Sequence, residues 1–546
     1  MSIHSAVKTL VRVAALAGLG LLASCDTPGG GVDVATATAP GSSDRLFTYA
    51  LRQIDKLYIR QIPPQTLIAA GVGHLSAIDP AFSATKGPEA GSQATLIISY
   101  DGHTVGSHVM PESGDPAETA RFLEMAIDTA RQVSPKIAAA KEDAVDHAVF
   151  NGITSALDRF SRYSPPDLAR ELRAQRNGYG GIGITLDSSN DEFLITKLEP
   201  RGPADRAGIK PGDRIAGIDG IAAAKHSRAW VVQHLRGPVG TPIAVAVSRG
   251  GTGEAREFHF HREKVVRPTV TLARDGGIAV FRIGSFNQST TQLIADALRR
   301  AGERPEDRIS GVVLDLRGNP GGLLEQAVSL AELFVNDGPI IATVGRNPAS
   351  HQFFAATGHG VAPRVPVVVL VNGGSASASE ILAAALQDVG RAVVAGSASY
   401  GKGTVQTVIR LPNDGELTLT WARLISPSGY LLEAHGVVPT LCTADLADNP
   451  RALEIAMQRA RGGSASPSRA GLDERGWAAL RRTCPGNHES PQADIKIAER
   501  LLADPALYAA ALQVLPAATQ LVRKAAGTPN GLALTGSDRA LNSGIR

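Results

Sequence analysis

The stretch Asn372-Gly373-Gly374-Ser375-Ala376-Ser377-Ala378-Ser379-Glu380 carries most of the information about the fold of this 546-residue chain. The apolar run Val367–Val371 precedes it and predicts a buried strand. Serine is a favoured helix N-cap residue, and the spacing of the apolar residues that follow predicts a helix over residues 377–389. A strand, a glycine turn and a serine-capped helix in this order are typical of an α/β fold that presents a serine at the end of a strand.

A lysine flanked by glycines follows in Tyr400-Gly401-Lys402-Gly403-Thr404-Val405-Gln406. Ser375, Ser377 and Ser379 alternate, so spacing alone does not choose a nucleophile, and a serine-rich helix cap is the alternative without chemistry. Burial disfavours the charged form of a lysine, and a neutral amine can take the proton of a serine hydroxyl. Together the two stretches indicate a serine nucleophile with a lysine base.

A third segment, Asp315-Leu316-Arg317-Gly318-Asn319-Pro320-Gly321-Gly322, lies between a predicted strand over 311–314 and a predicted helix over 323–335. Such a turn leaves backbone N–H groups unpaired beside a helix N-terminus, where they can stabilise an oxyanion. A phosphate-binding loop is the alternative, but the segment lacks the lysine and the Ser/Thr ending that such loops use. We therefore expect an oxyanion hole in this turn.

Length and charge restrict the class of protein. A chain of this length predicts three or four domains. The 55 basic and 52 acidic residues nearly balance, and no basic block is present, which argues against a nucleic-acid partner. His259 and His261 alternate along a predicted strand without an evident third ligand, so we expect no metal and no organic cofactor.

The N-terminus has the features of a targeting segment. Lys8 and Arg12 precede an apolar run over 13–22, which is too short to span a bilayer. The following Leu22-Ala23-Ser24-Cys25 resembles a bacterial lipobox, which implies a lipoprotein signal peptide over 1–25 and a lipidated Cys25. An ordinary signal peptide cut nearby is the alternative. Both interpretations predict export.

Residues 26–44 are rich in Gly, Thr, Ala and Ser and predict a flexible tether. We therefore expect a periplasmic or cell-envelope protein held at the membrane by a lipid anchor. In a Gram-negative cell, Asp26 directly after the cysteine resembles the signal that retains lipoproteins at the inner membrane. In such an oxidising compartment Cys442 and Cys484 are a candidate disulfide, and two free buried thiols are the alternative.

The rest of the chain divides into four expected regions. Residues 45–177 predict a helical domain with a β-hairpin around Asp101-Gly102. A β-rich unit follows over 178–265, and alternating apolar runs and helices over 266–445 predict an α/β core. Residues 446–546 predict a helical extension with a disordered polar tail.

The β-rich unit contains Gly181-Ile182-Gly183-Ile184, then a Pro-Gly turn at 211–212, then Gly237-Pro238-Val239-Gly240-Thr241. This pattern resembles a bacterial PDZ domain. The N–H groups of Gly181, Ile182, Gly183 and Ile184 could cradle a C-terminal carboxylate, while the following strand edge accepts an extended peptide. A small barrel without a peptide ligand is the alternative.

These motifs occur in an order that resembles the C-terminal processing peptidases, or tail-specific proteases, over residues 145–440. The resemblance implies a core similar to the ClpP/crotonase-like spiral fold. It makes Ser377 the nucleophile, Lys402 the general base and Gln406 the residue that orients the lysine. The oxyanion hole would be the N–H of Ala378 and that of Gly322 or Gly321, with Gly322 preferred.

The resemblance also implies a function. The expected molecule is a serine endopeptidase that binds polypeptides with disordered apolar C-termini and trims envelope proteins or precursors. An adaptor protein or a homo-oligomer would be a further partner, and the extension beyond residue 445 would serve either. A catalytically silent PDZ adaptor and a small-ester hydrolase are the alternatives. The chain departs from the family at residues 81–140, which resemble an insertion into the family's N-terminal helical region, and at Thr440, where an aspartate is usual.

Overall fold

The computed structural model describes residues 42–87, 93–189, 192–250, 254–303, 308–446, 449, 451–463, 469–486 and 491–514. The predicted signal peptide with Cys25 and the predicted polar tail lie outside these residues. The first helix begins at Ser42, so the tether predicted over 26–44 is too long at its C-terminal end. None of the helices in the described part combines the length and the apolar character needed to cross a membrane.

The N-terminal region contains five helices and three strands among the described residues. They are α1 (Ser42–Leu57), α2 (Pro64–Gly73), β1 (Phe82–Lys86), β2 (Thr95–Tyr100), β3 (His103–Val109), α3 (Pro116–Val133), α4 (Pro135–Ala139) and α5 (Glu142–Ser155). The predicted hairpin is confirmed as β2 and β3, which turn at Asp101 and Gly102, both with positive φ. A third strand, β1, pairs with β2 and was not predicted. It carries too few apolar residues to stand out in the sequence.

Residues 81–140 share one hydrophobic core with the helices on either side. Leu96 of β2 and Leu123 of α3 are fully buried in the same cluster as Phe47, Ile68 and Phe150. The segment that has the character of an insertion in the sequence is therefore an integral part of the N-terminal region.

The next region forms the β-rich unit and the elements at its two ends. These are β4 (Arg162–Ser164), α6 (Pro166–Asn177), β5 (Tyr179–Gly181), β6 (Ile184–Ser189), β7 (Glu192–Leu198), α7 (Pro203–Arg206), β8 (Arg214–Ile218), β9 (Ile221–Ala222), α8 (Arg228–Leu235), β10 (Pro242–Ser248), β11 (Arg256–His261) and β12 (Glu263–Val265). The sheet runs β11-β10-β8-β7-β6 with β9 beside β8, and β5 pairs with β12. Strand β6 lies at the edge of this sheet, next to helix α8.

The α/β core contains two sheets. Its elements are β13 (Val270–Asp275), β14 (Ile278–Ile283), α9 (Thr290–Arg300), β15 (Gly311–Asp315), α10 (Leu324–Glu332), β16 (Pro339–Val344), β17 (Gln352–Ala355), β18 (Val367–Val371), α11 (Ala378–Asp388), β19 (Val393–Gly396), β20 (Thr404–Arg410), β21 (Glu416–Ile425) and β22 (Leu441–Cys442). The first sheet runs β13-β14-β15-β18-β19-β22 and is parallel from β14 to β22. The second runs β17-β16-β21-β20, with β4 attached to β21.

The predicted strands of the core are confirmed within a few residues, whereas β13, β16, β17 and β22 were missed. Strand β18 is apolar along its whole length because both faces of the parallel sheet are covered. Val367 and Val369 pack with helix α11 on one face. Val368 and Leu370 point to the other face.

The C-terminal extension covers that second face. Its helices are α12 (Ala452–Gly463), α13 (Glu474–Arg482), α14 (Pro491–Ala503) and α15 (Pro505–Gln513), of which α13 was not predicted. Leu453, Leu501 and Tyr508 are buried against the sheet. The Tyr508 hydroxyl also donates to the carbonyl of Val367, at 3.0 Å. The C-terminal extension therefore packs on the parallel sheet as an additional layer of the core.

The two cysteines of the described region form a disulfide. Cys442 in β22 and Cys484 after α13 have Cα atoms 5.7 Å apart. The bond joins the end of the parallel sheet to the extension, and both residues are buried.

A buried carboxylate in the N-terminal region predicts a dependence of stability on pH. Burial, and next the charge of Glu142, raises the pKa of Asp146 from the ordinary 3.8 to about 6. Its charged form therefore opposes folding above pH 6, and this cost is absent below pH 4. Asp146→Asn should raise the free energy of unfolding by roughly 1–3 kcal/mol at pH 8 and leave it nearly unchanged at pH 4.

Urea unfolding at the two pH values, followed by circular dichroism, measures this difference. Asp167→Asn is the matched control, because the Asp167 side chain is exposed. An equal effect of Asp146→Asn at both pH values would contradict the prediction.

Candidate active site

Ser377 lies in a strained turn at the start of α11. Its φ of 56° is in the left-handed region that a residue with a side chain rarely adopts. Its backbone N–H donates to Glu380 Oε2 at 2.8 Å. The turn leaves Ser377 partly exposed, at the junction between strand β18 and helix α11.

The three alternating serines have different surroundings. Ser375 is fully buried, and its hydroxyl donates to the carbonyl of Leu316 at 2.8 Å. Ser379 is also fully buried and donates to the carbonyl of Asn319 at 3.0 Å. The hydroxyl of Ser377 donates to no other residue of the described chain. It is the serine that remains available to a ligand, a distinction that the sequence spacing left open.

The glycine turn after β15 lies directly against Ser377. The buried Asn319 fixes this turn, because its Nδ2 donates to the carbonyl of Ile283 and its Oδ1 accepts from the N–H of Gly321, both at 2.8 Å. The N–H of Ala376 donates in turn to the carbonyl of Asn319. A Cβ on Gly321 would lie 2.8 Å from Ser377 Cβ, so only glycine permits this approach.

Two backbone N–H groups beside Ser377 remain unpaired within the described part of the chain. They belong to Ala378, the first residue of α11, and to Gly322. The N–H of Gly321 is already bonded to Asn319. Of the two glycines considered as oxyanion donors, Gly322 is the one with a free N–H.

Glu380 links the turn of Ser377 to the turn that carries Lys402. Its side chain is fully buried. Oε2 accepts from the N–H groups of Ser377 and Lys402, and Oε1 accepts from the N–H of Gly401 and the hydroxyl of Ser399. Burial raises the pKa of Glu380, while these four hydrogen bonds act to lower it. A single carboxylate thus fixes the backbone at both predicted catalytic residues.

The amine of Lys402 lies over an aromatic ring. Its Nζ is 5.2 Å from the centre of the Phe160 ring. Burial lowers the pKa of Lys402, and the charge of Arg162 lowers it further, while Glu380 and Asp158 act in the opposite direction. No hydrogen bond joins the Lys402 amine to the Ser377 hydroxyl in this structure, although catalytic hydrogen bonds often form only once substrate is bound.

Gln406 does not contact Lys402 here. Its Nε2 donates to Thr404 Oγ1 at 2.9 Å and to Thr420 Oγ1 at 3.3 Å. Strand β20 begins at Thr404, so Lys402 precedes the strand and does not share a strand face with Gln406.

The segment 157–165 is a part of the site to which sequence reasoning gave no role. Asp158 Oδ1 accepts from the N–H groups of Phe160 and Ser161 at 2.8 Å and from Thr420 Oγ1 at 3.2 Å. These bonds hold the segment against strand β21 and bring Phe160 over Lys402. No local pattern predicts this contact, because Thr420 lies 262 residues from Asp158 in the chain.

The predicted peptide-binding residues line a groove on the β-rich unit. Gly181, Ile182, Gly183 and Ile184 lie along it, and apolar side chains of β6 and α8 form its floor: Leu186, Val232 and Leu235. The N–H groups of Ile182 and Gly183 have no acceptor within the described part. The outer edge of β6 is likewise unpaired in its sheet. The groove therefore offers free donors beside an apolar surface.

No group of three or more His, Cys, Asp or Glu residues that could hold a metal ion comes together among the residues that the structure describes. His259, one of the two alternating histidines, is exposed and has its Nε2 at 3.1 Å from Glu257.

Comparison with known proteins places this geometry in a family. The family model of peptidase family S41 matches residues 277–442, and that of the PDZ domain matches residues 171–248. A carboxy-terminal-processing protease of Bartonella bacilliformis is 36% identical over 299 residues, which cover 54% of this chain and 69% of that protein. A probable CtpA-like serine protease of Staphylococcus aureus is 31% identical over 300 residues, which cover 54% of this chain and 60% of that protein.

Among solved structures, the photosystem II D1 C-terminal processing protease aligns with 24% identity and a TM-score of 0.37, over 73% of this chain and 92% of that one. The class of protein that the fold and the family matches define is a serine-type peptidase with a multidomain α/β fold and a PDZ domain. The chain belongs to peptidase family S41, among the carboxy-terminal-processing proteases. Residues beyond 442 lie outside the family match.

The position of Glu380 predicts the effect of removing its charge. In Glu380→Gln, the backbone N–H groups of Ser377 and Lys402 lose their charged acceptor. The loss of one charge-assisted hydrogen bond is sufficient to lower kcat/KM by about 10- to 100-fold. Because Glu380 raises the pKa of Lys402, its loss should also move the acid limb of the pH profile of kcat/KM to lower pH.

Hydrolysis of a fluorogenic peptide between pH 5 and pH 10 measures both effects. Glu325→Gln, at an exposed position of α10, is the matched control and should behave as wild type. Wild-type kcat/KM together with an unshifted acid limb in Glu380→Gln would show that this carboxylate does not organise the site.

Proposed function

We propose that this chain is an exported serine endopeptidase that captures the unstructured C-terminus of a polypeptide in its PDZ domain and cleaves the polypeptide at Ser377 with Lys402 as the base. The observation that carries the proposal is the carboxylate of Glu380, which bonds the backbone of both residues. It keeps a partly exposed hydroxyl and a largely buried amine in neighbouring turns.

The reaction begins when the neutral amine of Lys402 takes the proton of the Ser377 hydroxyl, whose oxygen attacks the carbonyl carbon of the peptide bond. The resulting oxyanion accepts hydrogen bonds from the N–H groups of Ala378 and Gly322. The Lys402 ammonium then gives its proton to the leaving amine, and an acyl-enzyme remains. A water molecule, deprotonated by Lys402, attacks this ester and releases the acid and the free serine hydroxyl.

The choice of Gly322 over Gly321 rests on hydrogen bonding. The Gly321 N–H donates a hydrogen bond to Asn319, and breaking that bond would destabilise the turn. Donors that have no protein acceptor cost no reorganisation when the oxyanion forms. Gln406 would orient the Lys402 amine through its Oε1, which can accept a hydrogen bond from the amine and leave the lone pair directed at Ser377.

The substrate terminus binds in the groove of the PDZ domain. Its carboxylate accepts from the free N–H groups of Ile182 and Gly183, and Gly181 and Ile184 bound the same turn. The preceding residues pair with the open edge of β6, and the terminal side chain enters the apolar floor. This chemistry selects disordered chains that end in an apolar residue.

Location and substrates follow from the N-terminal sequence. A lipid anchor at Cys25 would hold the enzyme at the cell envelope, with the inner membrane favoured by Asp26. The Cys442–Cys484 disulfide suits the oxidising compartment that export implies. Envelope proteins or precursors trimmed at their C-termini are then the substrates.

A catalytically silent PDZ adaptor is the second candidate. The missing hydrogen bond between Lys402 and Ser377 is the observation in its favour. Such a protein would bind peptides as the enzyme does, without hydrolysing them.

Hydrolysis separates the two candidates. The wild-type protein should cleave a disordered peptide with an apolar C-terminus, and Ser377→Ala and Lys402→Ala should each lower kcat to the background rate. Because burial lowers the pKa of Lys402, the acid limb of kcat/KM should lie below the ordinary lysine value of 10.5. Ser107→Ala, on an exposed strand position, is the control. Peptide binding without cleavage in the wild type would support the adaptor.

Removing the peptide carboxylate tests the PDZ groove. A peptide whose C-terminus is amidated should bind at least about tenfold more weakly than the free acid, because it loses charge-assisted hydrogen bonds. Fluorescence anisotropy with the Ser377→Ala protein measures the two dissociation constants without cleavage. Equal affinities would contradict capture of the chain end by this groove.

A further inference from the structure

A segment of the C-terminal extension reaches the active-site turns from outside the family match. We call residues 474–486, which comprise α13 and the four residues after it, the C-terminal clip. The carbonyl of Cys484 accepts from the N–H of Ala398 at 3.3 Å, and the carbonyl of Gly486 accepts from the N–H of Gly373 at 3.1 Å. Ala398 leads to the Lys402 turn, and Gly373 belongs to the turn before Ser377. The clip therefore forms hydrogen bonds with the backbone shortly before Lys402 and shortly before Ser377.

Arg481 of the clip contacts the Lys402 turn directly. Its Nη2 donates to the carbonyl of Ser399 at 2.9 Å, and its Nη1 donates to the carbonyl of His435. A Cβ on Gly436 would lie 3.0 Å from Arg481 Nη1 and 2.9 Å from Glu380 Oε1. Arg481 thus closes the outer side of the pocket that holds the Glu380 carboxylate.

Packing also attaches the clip to the core, because Trp477 and Cys484 are buried in its main hydrophobic cluster. Trp477 is the buried residue of α13, and its ring stacks on His435 with centres 4.6 Å apart. The Cys442–Cys484 disulfide ties the end of the clip to β22. Arg481 lies three residues before Cys484, whose carbonyl holds Ala398, and five residues before Gly486, whose carbonyl holds Gly373.

We propose that the C-terminal clip is a positioning element of the active site, in which Arg481 and the Cys442–Cys484 bond hold residues 399–402 so that the Lys402 amine is directed toward Ser377. The inference rests on the proposed function and assigns the C-terminal extension a role in it. Arg481 touches neither substrate nor reacting atoms and acts through Ser399 and Glu380. Without the clip, the turn relaxes and water reaches the amine.

The groups that act on the Lys402 amine from the surrounding elements are Arg162 of β4, Glu380 of α11 and Asp158 of the segment before β4. All three residues stay in the chain when Arg481 is replaced, and the effect on Lys402 passes through Ser399 and Glu380. Better solvation would favour the ammonium form of Lys402 and raise its pKa, so the acid limb of kcat/KM moves to higher pH. A loss of folded protein alone lowers the rate at every pH and leaves the limb in place.

Arg481→Ala in the full chain tests the proposal. We expect kcat to fall about 10- to 100-fold with little change in KM, and the acid limb to move to higher pH. Arg481→Lys retains one donor and a charge, so it should recover part of both effects. Arg500→Ala removes an exposed ion pair with Glu454 on the same extension and should leave kcat and the limb unchanged.

The double variant Cys442→Ser/Cys484→Ser releases the other attachment and should change kcat and the limb in the same direction. If Arg481→Ala does not fold, as judged by circular dichroism, the double variant and Arg481→Lys test the proposal in its place. Folded variants with wild-type kcat, or with a lowered kcat and an unmoved limb, overturn the proposal. Activity retained in Ser377→Ala would instead overturn the proposed function, which makes the two failures distinguishable.

Discussion

The carboxylate of Glu380 is the interaction on which the arrangement of the site depends. A buried acid is costly unless it is hydrogen-bonded, and this one accepts four hydrogen bonds. The donors come from the Ser377 turn and from residues 399–402, so the cost of burial is offset only when both turns are in place. The position of Ser377 is thereby coupled to that of Lys402, although more than twenty residues separate them.

The parallel sheet provides the frame for this coupling. Strands β15, β18 and β19 end side by side, and the glycine turn, the Ser377 turn and the approach to Lys402 follow from their ends. Such a sheet requires cover on both faces. Helices of the core cover one face, and the C-terminal extension covers the other, which explains why a segment outside the family match is continuous with the core.

The surroundings of Lys402 are assembled from distant parts of the chain. Phe160 and Arg162 arrive from the segment before the PDZ domain, which is held on β21 by Asp158 and Thr420. Glu380 arrives from α11. Burial and the charge of Arg162 lower the pKa of Lys402, against the opposite action of Glu380 and Asp158, and all of these influences come from tertiary packing rather than from the residues next to the lysine.

The sequence by itself determined most of the local elements. Apolar runs such as Val367–Val371 specify strands, glycine pairs specify the close approach at Gly321, and the serine and lysine stretches predict the reacting groups. These patterns follow from short-range sterics and hydrophobic periodicity, which depend on residues that are close together in the sequence. Only the tertiary structure decided that Ser375 and Ser379 are structural, that the Gly322 N–H is free and that Glu380 joins the two turns. Each of those outcomes depends on a hydrogen-bond partner that lies far away in the chain, which no local pattern can specify.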